Sequence, residues 1–422
     1  MRVSRPANQE ASRAPFAVVL ALLVGGSCFH ADRHTAVDVA MGSAYRPPAV
    51  NVDYAFRDDA DARDQGARFS LLAGDFHCHV SPPDWDQEAN RDVAGTVALA
   101  RAEHLDFVVL TPHVGARFFL NDAYRRAELA DLHQLRATIA AQGSDTPLLI
   151  PGFEYTDHQQ GHLGFAFADL TEVLARLSVE QLEAEPQNFV SAWVAAGGLV
   201  VVNHPLVTPL DSWFAIGRVN LSWRPWTAPA GGSFPPEIVA ADHLAQGFEA
   251  YNLTAAHMRD RYLSNTGRGT YQDTLTRIDQ EILKQQRRLV PIGGSDSHED
   301  HLRATTFVLA GERTPDSIRD AVVAGRVCVR DPRACSLQAR AARGAWQPLG
   351  AAFANTAAVE VTAKGEQIRV LVNGAIAARP RSGQIASLAL DRSLCSVIRA
   401  EIDGGASAPI YANCDFAAPT LR

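Results

Sequence analysis

The chain lacks any run of basic residues interleaved with aromatic ones, and its formal net charge is −8 over 422 residues. Proteins that hold nucleic acid through its phosphate backbone need a basic surface. Nucleic acid is therefore not expected as a bulk electrostatic partner. A negative balance still permits a small anionic ligand, because bound divalent cations supply positive charge locally.

The apolar stretch near the N-terminus is short: residues 15–24 give about ten apolar positions, where a membrane-spanning helix needs about 20. Three arginines precede it and small residues follow it at 25–28, which is the pattern of a secretory signal. We predict a targeting segment over 1–31 and a periplasmic or secreted protein. The alternative is an apolar N-terminus that is not cleaved.

Cysteines are few, six in all, and their spacings do not form a zinc ribbon. Cys28 follows small residues, as in a lipid-anchored lipoprotein, although Gly25 occupies the place of the usual Leu. Cys78 is expected to be a buried, structural residue. An oxidising compartment would permit one or two disulfides among the four late cysteines. The preferred pair is Cys395 with Cys414.

Histidine is absent after residue 335, where short alternating runs and the turn Asn373-Gly374 indicate antiparallel strands. Before that point, apolar runs alternate with helical patterns from Ser70 to about Asp331, which favours parallel strands with crossover helices. The predicted helices are Val93–His104, Ala123–Ala141, Val173–Glu185, Phe189–Ala196, Thr270–Arg288 and Pro315–Arg326. The predicted domains are a targeting segment (1–31), a linker and lead-in (32–69), an α/β domain (70–331) with a Trp-rich insertion (206–246), and a small β domain (332–422).

Residues that bind divalent cations follow several of these apolar runs. Because catalytic residues of α/β proteins lie at the C-terminal ends of parallel strands, the endings are expected to meet. A lone His-x-His is weak, since two half-buried histidines explain it equally well, but four further runs that end in His, Glu or Asp are hard to ascribe to packing. The ligand candidates are His77, His79, His113, Glu154, His162, His204, Asp296 and His298.

This mixture of imidazole and carboxylate suits zinc, manganese or iron better than calcium. Eight ligands exceed one tetrahedral site, so two or three divalent ions are expected, with Glu154 free to bridge. Paired ions lower the pKa of bound water and stabilise a developing oxyanion, which indicates hydrolysis.

Six strings of the chain resemble the ordered motifs of the PHP (polymerase and histidinol phosphatase) superfamily. They are Asp75-Phe76-His77-Cys78-His79, Thr111-Pro112-His113, Gly152-Phe153-Glu154, Gly161-His162, Asn203-His204-Pro205 and Gly294-Ser295-Asp296-Ser297-His298. The string Glu249-Ala250-Tyr251-Asn252 and the appended β domain resemble the branch that includes carbaryl-hydrolase-like enzymes. The resemblance implies a distorted (β/α)7 PHP-type barrel with two or three metal ions and a small C-terminal antiparallel β domain.

The resemblance also implies how the ligands divide. His77, His79, Glu154 and Asp296 would form one site, His113 with bridging Glu154 a second, and His162, His204 and His298 a third. Asp84 would complete the second site, with Asp86 as its competitor. The chain departs from the family at Pro112, where the usual residue is Asp, and this loss would change metal number or rate.

Three functions follow as hypotheses. The first is an exported hydrolase in which a metal-bridging hydroxide attacks a small anionic phosphoester. The second places a carbamate, ester or amide carbonyl at the same site, and the third is an inactive periplasmic metal- or ligand-binding protein. His158 and His301, which stand beside the Glu154 and His298 motifs respectively, are candidate proton donors to the leaving group, and Glu154 is the third catalytic candidate. Arg117 and Arg303 could hold a phosphate, although ordinary salt bridges explain them equally.

Overall fold

The computed structural model describes residues 69–84, 89–143, 147–157, 160–184, 186–205, 222–223, 225, 234–256, 271–299 and 301–416. The predicted targeting segment, the lipid-attachment candidate Cys28 and most of the Trp-rich insertion lie outside these ranges. Within them, no helix is both long enough and apolar enough to span a bilayer.

The His-x-His segment and the four apolar runs that carry motifs are strands, as predicted, and with two further strands they form a row of seven that are hydrogen-bonded side by side. In spatial order they are β1 (Ser70–Cys78), β2 (Phe107–Leu110), β4 (Leu148–Asp157), β5 (Gly161–Ala166), β6 (Leu199–Val202), β7 (Gly247–Asn252) and β8 (Val290–Gly294). A short strand, β3 (His113–Gly115), pairs with the end of β4.

Most neighbours in this row are parallel, but β5 runs antiparallel to both β4 and β6. The sequence predicts a strand–helix alternation throughout, and that prediction is wrong here. Asp157 at the end of β4 pairs with Gly161 at the start of β5, and Gly161 has φ +93°. A Cβ on Gly161 would lie 2.1 Å from the carbonyl oxygen of Ser222, so this position requires glycine.

The last strand of the row returns to the first. The backbone N–H of Asp296 donates to the carbonyl of His77 (2.7 Å), and the N–H of His79 donates to the carbonyl of Ser297 (3.0 Å). A parallel bridge joins Cys78 to Ser297. We call this junction the β1–β8 seam. It brings the His-x-His segment beside the Asp296 segment.

Apolar side chains from six of the seven strands share one buried cluster. Its members include Phe76, Val109, Ile150, Val201 and Ile292. Such close packing fixes the strands relative to one another. The polar residues at the strand ends are therefore held on a rigid support.

Helices connect the strands, and most lie where the sequence predicts them. They are α1 (Val93–Ala102), α2 (Arg117–Leu120), α3 (Asp122–Ala140), α4 (Leu170–Leu174), α5 (Val179–Ala184), α6 (Pro186–Ala195), α7 (Pro236–Leu244), α8 (Tyr271–Gln285) and α9 (Pro315–Val323). The helix predicted over Val173–Glu185 is two helices instead. Ser178 and Gln181 form reciprocal side-chain bonds to each other's backbone N–H (3.2 and 2.9 Å), a capping box that begins α5.

The chain after residue 300 adds mainly antiparallel strands, as predicted for its C-terminal part. They are β9 (Thr306–Ala310), β10 (Val327–Val329), β11 (Gln338–Ala341), β12 (Ala352–Phe353), β13 (Ala358–Thr362), β14 (Ile368–Val372), β15 (Ala375–Ala378), β16 (Ala386–Ala389), β17 (Ser396–Ile402), β18 (Gly405–Ser407) and β19 (Ile410–Ala412). β11, β13 and β16 form a small separate sheet, whereas β9 pairs with β1 and β10 joins β9 to β18. A domain boundary at 331/332 stays a prediction.

Two disulfides close the late part of the chain. Cys395 is bonded to Cys414, the predicted pair, and Cys328 is bonded to Cys335. Cys78 is a free thiol with no exposed surface, and burial raises its pKa to about 11. It is therefore an inert core residue, as expected.

A buried ion network joins β17 to α8. Arg399 is 2% exposed; its Nε donates to Asp279 (2.8 Å) and its Nη1 donates to Glu401 (2.7 Å). Gln272 and Arg369 also bind Glu401, at 2.8 and 2.6 Å. The network ties the C-terminal strands to the helix that leads into β8.

We predict that Arg399→Met destabilises the protein by about 3–5 kcal/mol, because two buried carboxylates lose their shared cation. The matched control is Arg126→Met, which breaks an exposed pair with Asp122 on α3 and should cost less than about 1 kcal/mol. Urea unfolding of both variants measures the difference. Equal losses in the two variants would contradict a stabilising role for the buried network.

Candidate metal centre

The eight candidate ligands converge at one end of the strand row. His77 lies in β1 and His79 directly follows it, His113 begins β3 and Glu154 lies in β4. The others lie in β5 or follow β6 and β8; they are His162, His204, Asp296 and His298. All eight are buried except His113 and His298, whose side chains are 24% and 27% exposed.

Three ligand atoms form the tightest group. His77 Nε2 lies 3.2 Å from His79 Nε2, and Asp296 Oδ1 lies 3.4 Å from the first and 3.2 Å from the second. Ligands placed tetrahedrally about 2.1 Å from a zinc ion are about 3.4 Å from one another. The three atoms therefore have the spacing of the corners of one coordination site.

Two further groups share these histidines. Glu154 Oε1 lies 3.3 Å from His77 Nε2 and 3.2 Å from His204 Nε2, so these three residues form a second group. His79, His113 and His298 form a third, in which the His79 ring stacks on the other two at centroid distances of 4.1 and 3.9 Å. The three groups overlap, because His77 belongs to two of them and His79 to two of them.

This grouping differs in part from the one that the resemblance implies. His298 lies with His79 and His113, not with His162 and His204. His162 is near Glu154, with Nδ1 3.2 Å from Oε1. The segment after β8 turns at Asp296, and this turn directs His298 toward the β3 side of the site.

Glu154 is the residue common to the whole site. Its Oε1 faces His162, His204 and His77, while its Oε2 lies 3.5 Å from His113 Nε2 and 3.7 Å from His79 Nε2. Burial by itself would raise the pKa of this carboxyl, but the neighbouring imidazoles, first His162 and then His77, hold it well below its usual range. The carboxylate is therefore ionised and able to bridge two cations.

The histidines differ in protonation. Burial, together with the charge of His79, lowers the pKa of His298 to about 3, so its ring is neutral and has a free lone pair. Burial would also lower the pKa of His77, but the charges of Asp296, Glu154 and Glu249 outweigh it and raise that pKa well above its usual value. A cation bound by His77 would therefore displace a proton.

Asp84 lies behind the ligands. Its Oδ2 is 3.0 Å from His79 Nδ1, and its Oδ1 is 3.1 Å from His113 Nδ1 and accepts the backbone N–H of His113 (2.7 Å). Burial would raise the pKa of Asp84, but His113 and then His79 lower it strongly. Both oxygens are thus engaged with the far side of two ligand rings. Asp86, its competitor, lies outside the described residues.

Two ligand residues have unusual backbone conformations. His204 has φ +24° and Asp296 has φ +53°, in the left-handed region that residues other than glycine rarely adopt. Strain of this kind is typical of functional sites. The N–H of His204 donates to Glu249 (2.6 Å) and that of Asp296 to the seam, and these bonds hold the conformations.

Pro112, where the resemblance leads one to expect Asp, contributes through its backbone. Its carbonyl accepts the N–H of Glu154 (2.9 Å). The preceding Thr111 accepts the N–H of Cys78 through its hydroxyl (3.1 Å). The segment therefore joins β1 to β4 beside the ligands, with no carboxylate of its own.

Of the candidate proton donors, His158 lies outside the described residues. His301 is not in any of the three ligand groups: its Nε2 is 2.8 Å from the hydroxyl of Thr254. That hydroxyl is also 2.9 Å from the carbonyl of Asp296. His301 is thus attached to the backbone of a ligand. Arg117 is exposed. Burial raises the pKa of Glu103, and the positive charge of Arg303 opposes that rise.

The described part of the insertion contributes to packing. Trp223 is 2% exposed, and its Nε1 donates to Asp242 (3.1 Å). The hydroxyl of Ser222 donates to the carbonyl of the ligand His204. Trp223 is therefore a core residue and not a wall of a substrate pocket, while Trp213 and Trp226 lie outside the described residues.

Asn203, Glu249 and Asn252 are named from the sequence only as parts of motif strings, and no role around the ligands is predicted for them there. Asn203 donates to Glu154 Oε1 (2.8 Å). Glu249 and Asn252, at the end of β7, contact His77 and Asp296 respectively. A signal was present, because the β7 run ends in a carboxylate and an amide just as the other runs end in ligands.

No family model and no curated protein matches the chain. Among solved structures, it is similar to a two-domain protein containing a predicted PHP-like metal-dependent phosphoesterase from Bacteroides vulgatus ATCC 8482, with 17% identity, 80% of this chain and 91% of that chain covered, and a TM-score of 0.39. It is also similar to a lesion-specific endonuclease, Endonuclease Q, from Pyrococcus furiosus, with 15% identity, 65% of this chain and 63% of that chain covered, and a TM-score of 0.35. A third similar structure is PsfC from Pseudomonas syringae PB-5123, with 16% identity, 60% of this chain and 88% of that chain covered, and a TM-score of 0.35. The first description names the family that the motifs resemble, and none of the three names the carbaryl-hydrolase-like branch.

The buried carboxyl group of Asp75 should make the stability of the protein depend on pH. It is fully buried and accepts the N–H of His77 (2.9 Å) and of Ser295 (3.0 Å). Burial raises its pKa from 3.8 to about 7. Between those values the folded state binds more protons than the unfolded state, so stability falls as pH rises.

Asp75→Asn should remove this contribution, because its amide oxygen can accept the same two N–H groups and does not titrate. We expect the slope of unfolding free energy against pH to become less negative by up to about 1.4 kcal/mol per pH unit in this window. Urea unfolding of metal-free protein at several pH values measures it. Identical slopes in the two proteins would show that Asp75 titrates normally.

Proposed function

We propose that the chain is a metal-dependent hydrolase of phosphoesters, with a PHP-type site at one end of a distorted seven-stranded β/α barrel. The observation that carries this proposal is a set of three overlapping ligand groups. Two of them contain His77, two contain His79 and one contains Glu154. The β1–β8 seam supports closure of the barrel. Export, and lipid attachment at Cys28, are part of the same proposal and rest on the sequence.

Two or three zinc, manganese or iron ions held by these groups would act as Lewis acids and lower the pKa of a water molecule in the site. The donor set fits such ions, because neutral imidazole and ionised carboxylate are their usual ligands. His77, His79 and Asp296 would hold one ion together; alternatively, His77 would join Glu154 and His204 while His79 would join His113 and His298, because each imidazole binds one ion through its Nε2. His162 would complete the shell near Glu154.

The surrounding residues would keep the ligands in place. We assign to Asp84 the orientation of His79 and His113 in preference to the ligand role first expected for it, because each of its oxygens faces a ring nitrogen on the far side of a ligand. Histidines that bind metals usually have such a carboxylate partner, which fixes the tautomer of the ring.

Hydrolysis also needs a proton for the leaving group. His301 is our candidate. The hydroxyl of Thr254 has one hydrogen, which it can donate to the carbonyl of Ser295 or Asp296, and so it accepts the Nε2–H of His301. The second ring nitrogen would then carry the proton to be transferred. His158 stays a second candidate.

An anionic phosphoester is the substrate class that the site favours, since several divalent ions concentrate positive charge in one cleft. A carbamate, ester or amide at the same site is the alternative. Trp223, in the Trp-rich insertion, packs in the core and so offers no apolar surface to such a substrate. An inactive metal-binding protein is the alternative of another class.

We expect purified protein with added zinc or manganese to hydrolyse p-nitrophenyl phosphate or its bis-ester faster than an aryl carbamate or aryl ester. His79→Ala should lower the rate by about 100-fold or more, because it removes a residue shared by two ligand groups. His133→Ala, at an exposed histidine on α3, is the matched control and should keep the full rate.

The rates on these four substrates distinguish the three hypotheses. Turnover confined to the carbamate or ester would replace the phosphoesterase by the second hydrolase. Tight metal binding with no turnover on any substrate would favour the binding protein. Phosphoester turnover that survives in His79→Ala would place the activity outside the proposed centre.

A further inference from the structure

Glu249 is a buried carboxylate at the end of β7 that contacts two ligand residues at once. It is 2% exposed, and its Oε1 lies 3.2 Å from His77 Nδ1. Its Oε2 accepts the backbone N–H of His204 at 2.6 Å and the side-chain amide of Asn252 at 3.0 Å. One carboxylate thus joins β1, β7 and the segment after β6.

The geometry around His77 determines which nitrogen must carry a hydrogen. Its Nε2 faces Glu154 and Asp296, at 3.3 and 3.4 Å, on the cation side of the ring. A ring nitrogen that binds a metal has no hydrogen, so the hydrogen belongs on Nδ1. There it faces Glu249, which can accept it.

We propose that Glu249 is a positioning residue of the metal centre, which fixes the tautomer of His77 and the backbone of His204 so that both imidazoles face a shared cation. This inference rests on the proposed metal-dependent function. It extends that function by assigning a role to a residue outside the ligand set. The same bond to the N–H of His204 holds that residue at its left-handed φ.

Only a carboxylate satisfies this arrangement. Glu249 faces three donors: the Nδ1–H of His77, the N–H of His204 and the amide of Asn252. Glutamine has one acceptor oxygen, and its NH₂ group would have to face one of these donors. If the NH₂ faced His77, it would favour the opposite tautomer, with hydrogen on Nε2, and that nitrogen could no longer bind a cation.

Asn252 extends the network to a third ligand. Its Nδ2 lies 3.0 Å from Glu249 Oε2 and 3.2 Å from Asp296 Oδ2, so its two hydrogens can join the two carboxylates. Its oxygen accepts the N–H of Ala255 (2.7 Å), which identifies the nitrogen side of the amide. Glu249 therefore influences the two ligand groups that contain His77.

The third ligand group has a different carboxylate behind it. His79 and His113 face Asp84 through Nδ1. A change at Glu249 should consequently weaken cation binding by His77 and leave the group of His79, His113 and His298 able to bind. This selectivity distinguishes positioning from a general loss of structure.

The test compares Glu249→Gln with Glu281→Gln, a control at a buried glutamate on α8 whose partner is Arg277 (3.0 Å). Zinc content after dialysis and zinc affinity by calorimetry are measured, with urea unfolding as the check on folding. We expect Glu249→Gln to lose at least one ion per chain, or to bind it about 10–100-fold more weakly, as is usual when the partner of a ligand is removed. Glu281→Gln should bind as the unaltered protein does.

A third variant separates charge from packing. Glu249→Asp keeps two acceptor oxygens but loses a methylene, whereas glutamine keeps the shape and loses the charge. Positioning predicts that Asp retains more zinc affinity than Gln, and a packing role predicts the reverse order. Equal zinc content and affinity in Glu249→Gln, Glu249→Asp and the unaltered protein would overturn the proposal.

The unaltered protein provides a measurement that does not depend on any variant folding. ¹⁵N NMR of the zinc-bound form should show His77 with its hydrogen on Nδ1, and hydrogen on Nε2 would contradict the proposal. None of these readouts uses a substrate. Absence of phosphoester turnover would therefore reject the proposed function and leave the role of Glu249 to be decided by zinc binding.

Discussion

Buried negative charge is the constraint on which this structure depends. Asp84, Glu154, Glu249 and Asp296 lie at one end of the strand row, each 8% exposed or less. Ionised carboxylates cannot be buried together without nearby positive charge. The imidazoles around them supply part of it as protons on rings such as His77, and divalent cations would supply it more completely. The histidines, the seam and the left-handed backbone at two ligands all serve to keep these charges together.

Much of the fold and site could be predicted because their signals are local. Apolar runs such as Leu199–Val202, which forms β6, are unmistakable as buried strands, and cation-binding residues closely follow them, as His204 follows β6. Sequence also predicts the turn at Asn373-Gly374, because both residue types favour the left-handed backbone that such a turn requires. It predicts the disulfide Cys395–Cys414 as well, because only four cysteines lie late in the chain.

Other features depend on distances between strands, which no local pattern encodes. The antiparallel strand β5 begins at Gly161, for which a glycine followed by a histidine is the only local signal. Asp84 was predicted as a ligand from its distance along the chain, whereas its contacts with the Nδ1 atoms of His79 and His113 depend on how the strands are placed. The partners of His298 and the contacts of Glu249 became visible only once the strands were placed side by side.

The seam also determines when the centre can exist during folding. Asp75 and Ser295, which are hydrogen-bonded across it, are 220 positions apart in the chain. Contacts of such long range form late, because a large loop must close before they contribute. A chain synthesised only as far as β7 has neither the seam nor Asp296. The group of His77, His79 and Asp296 can therefore assemble only when nearly the whole α/β portion is present.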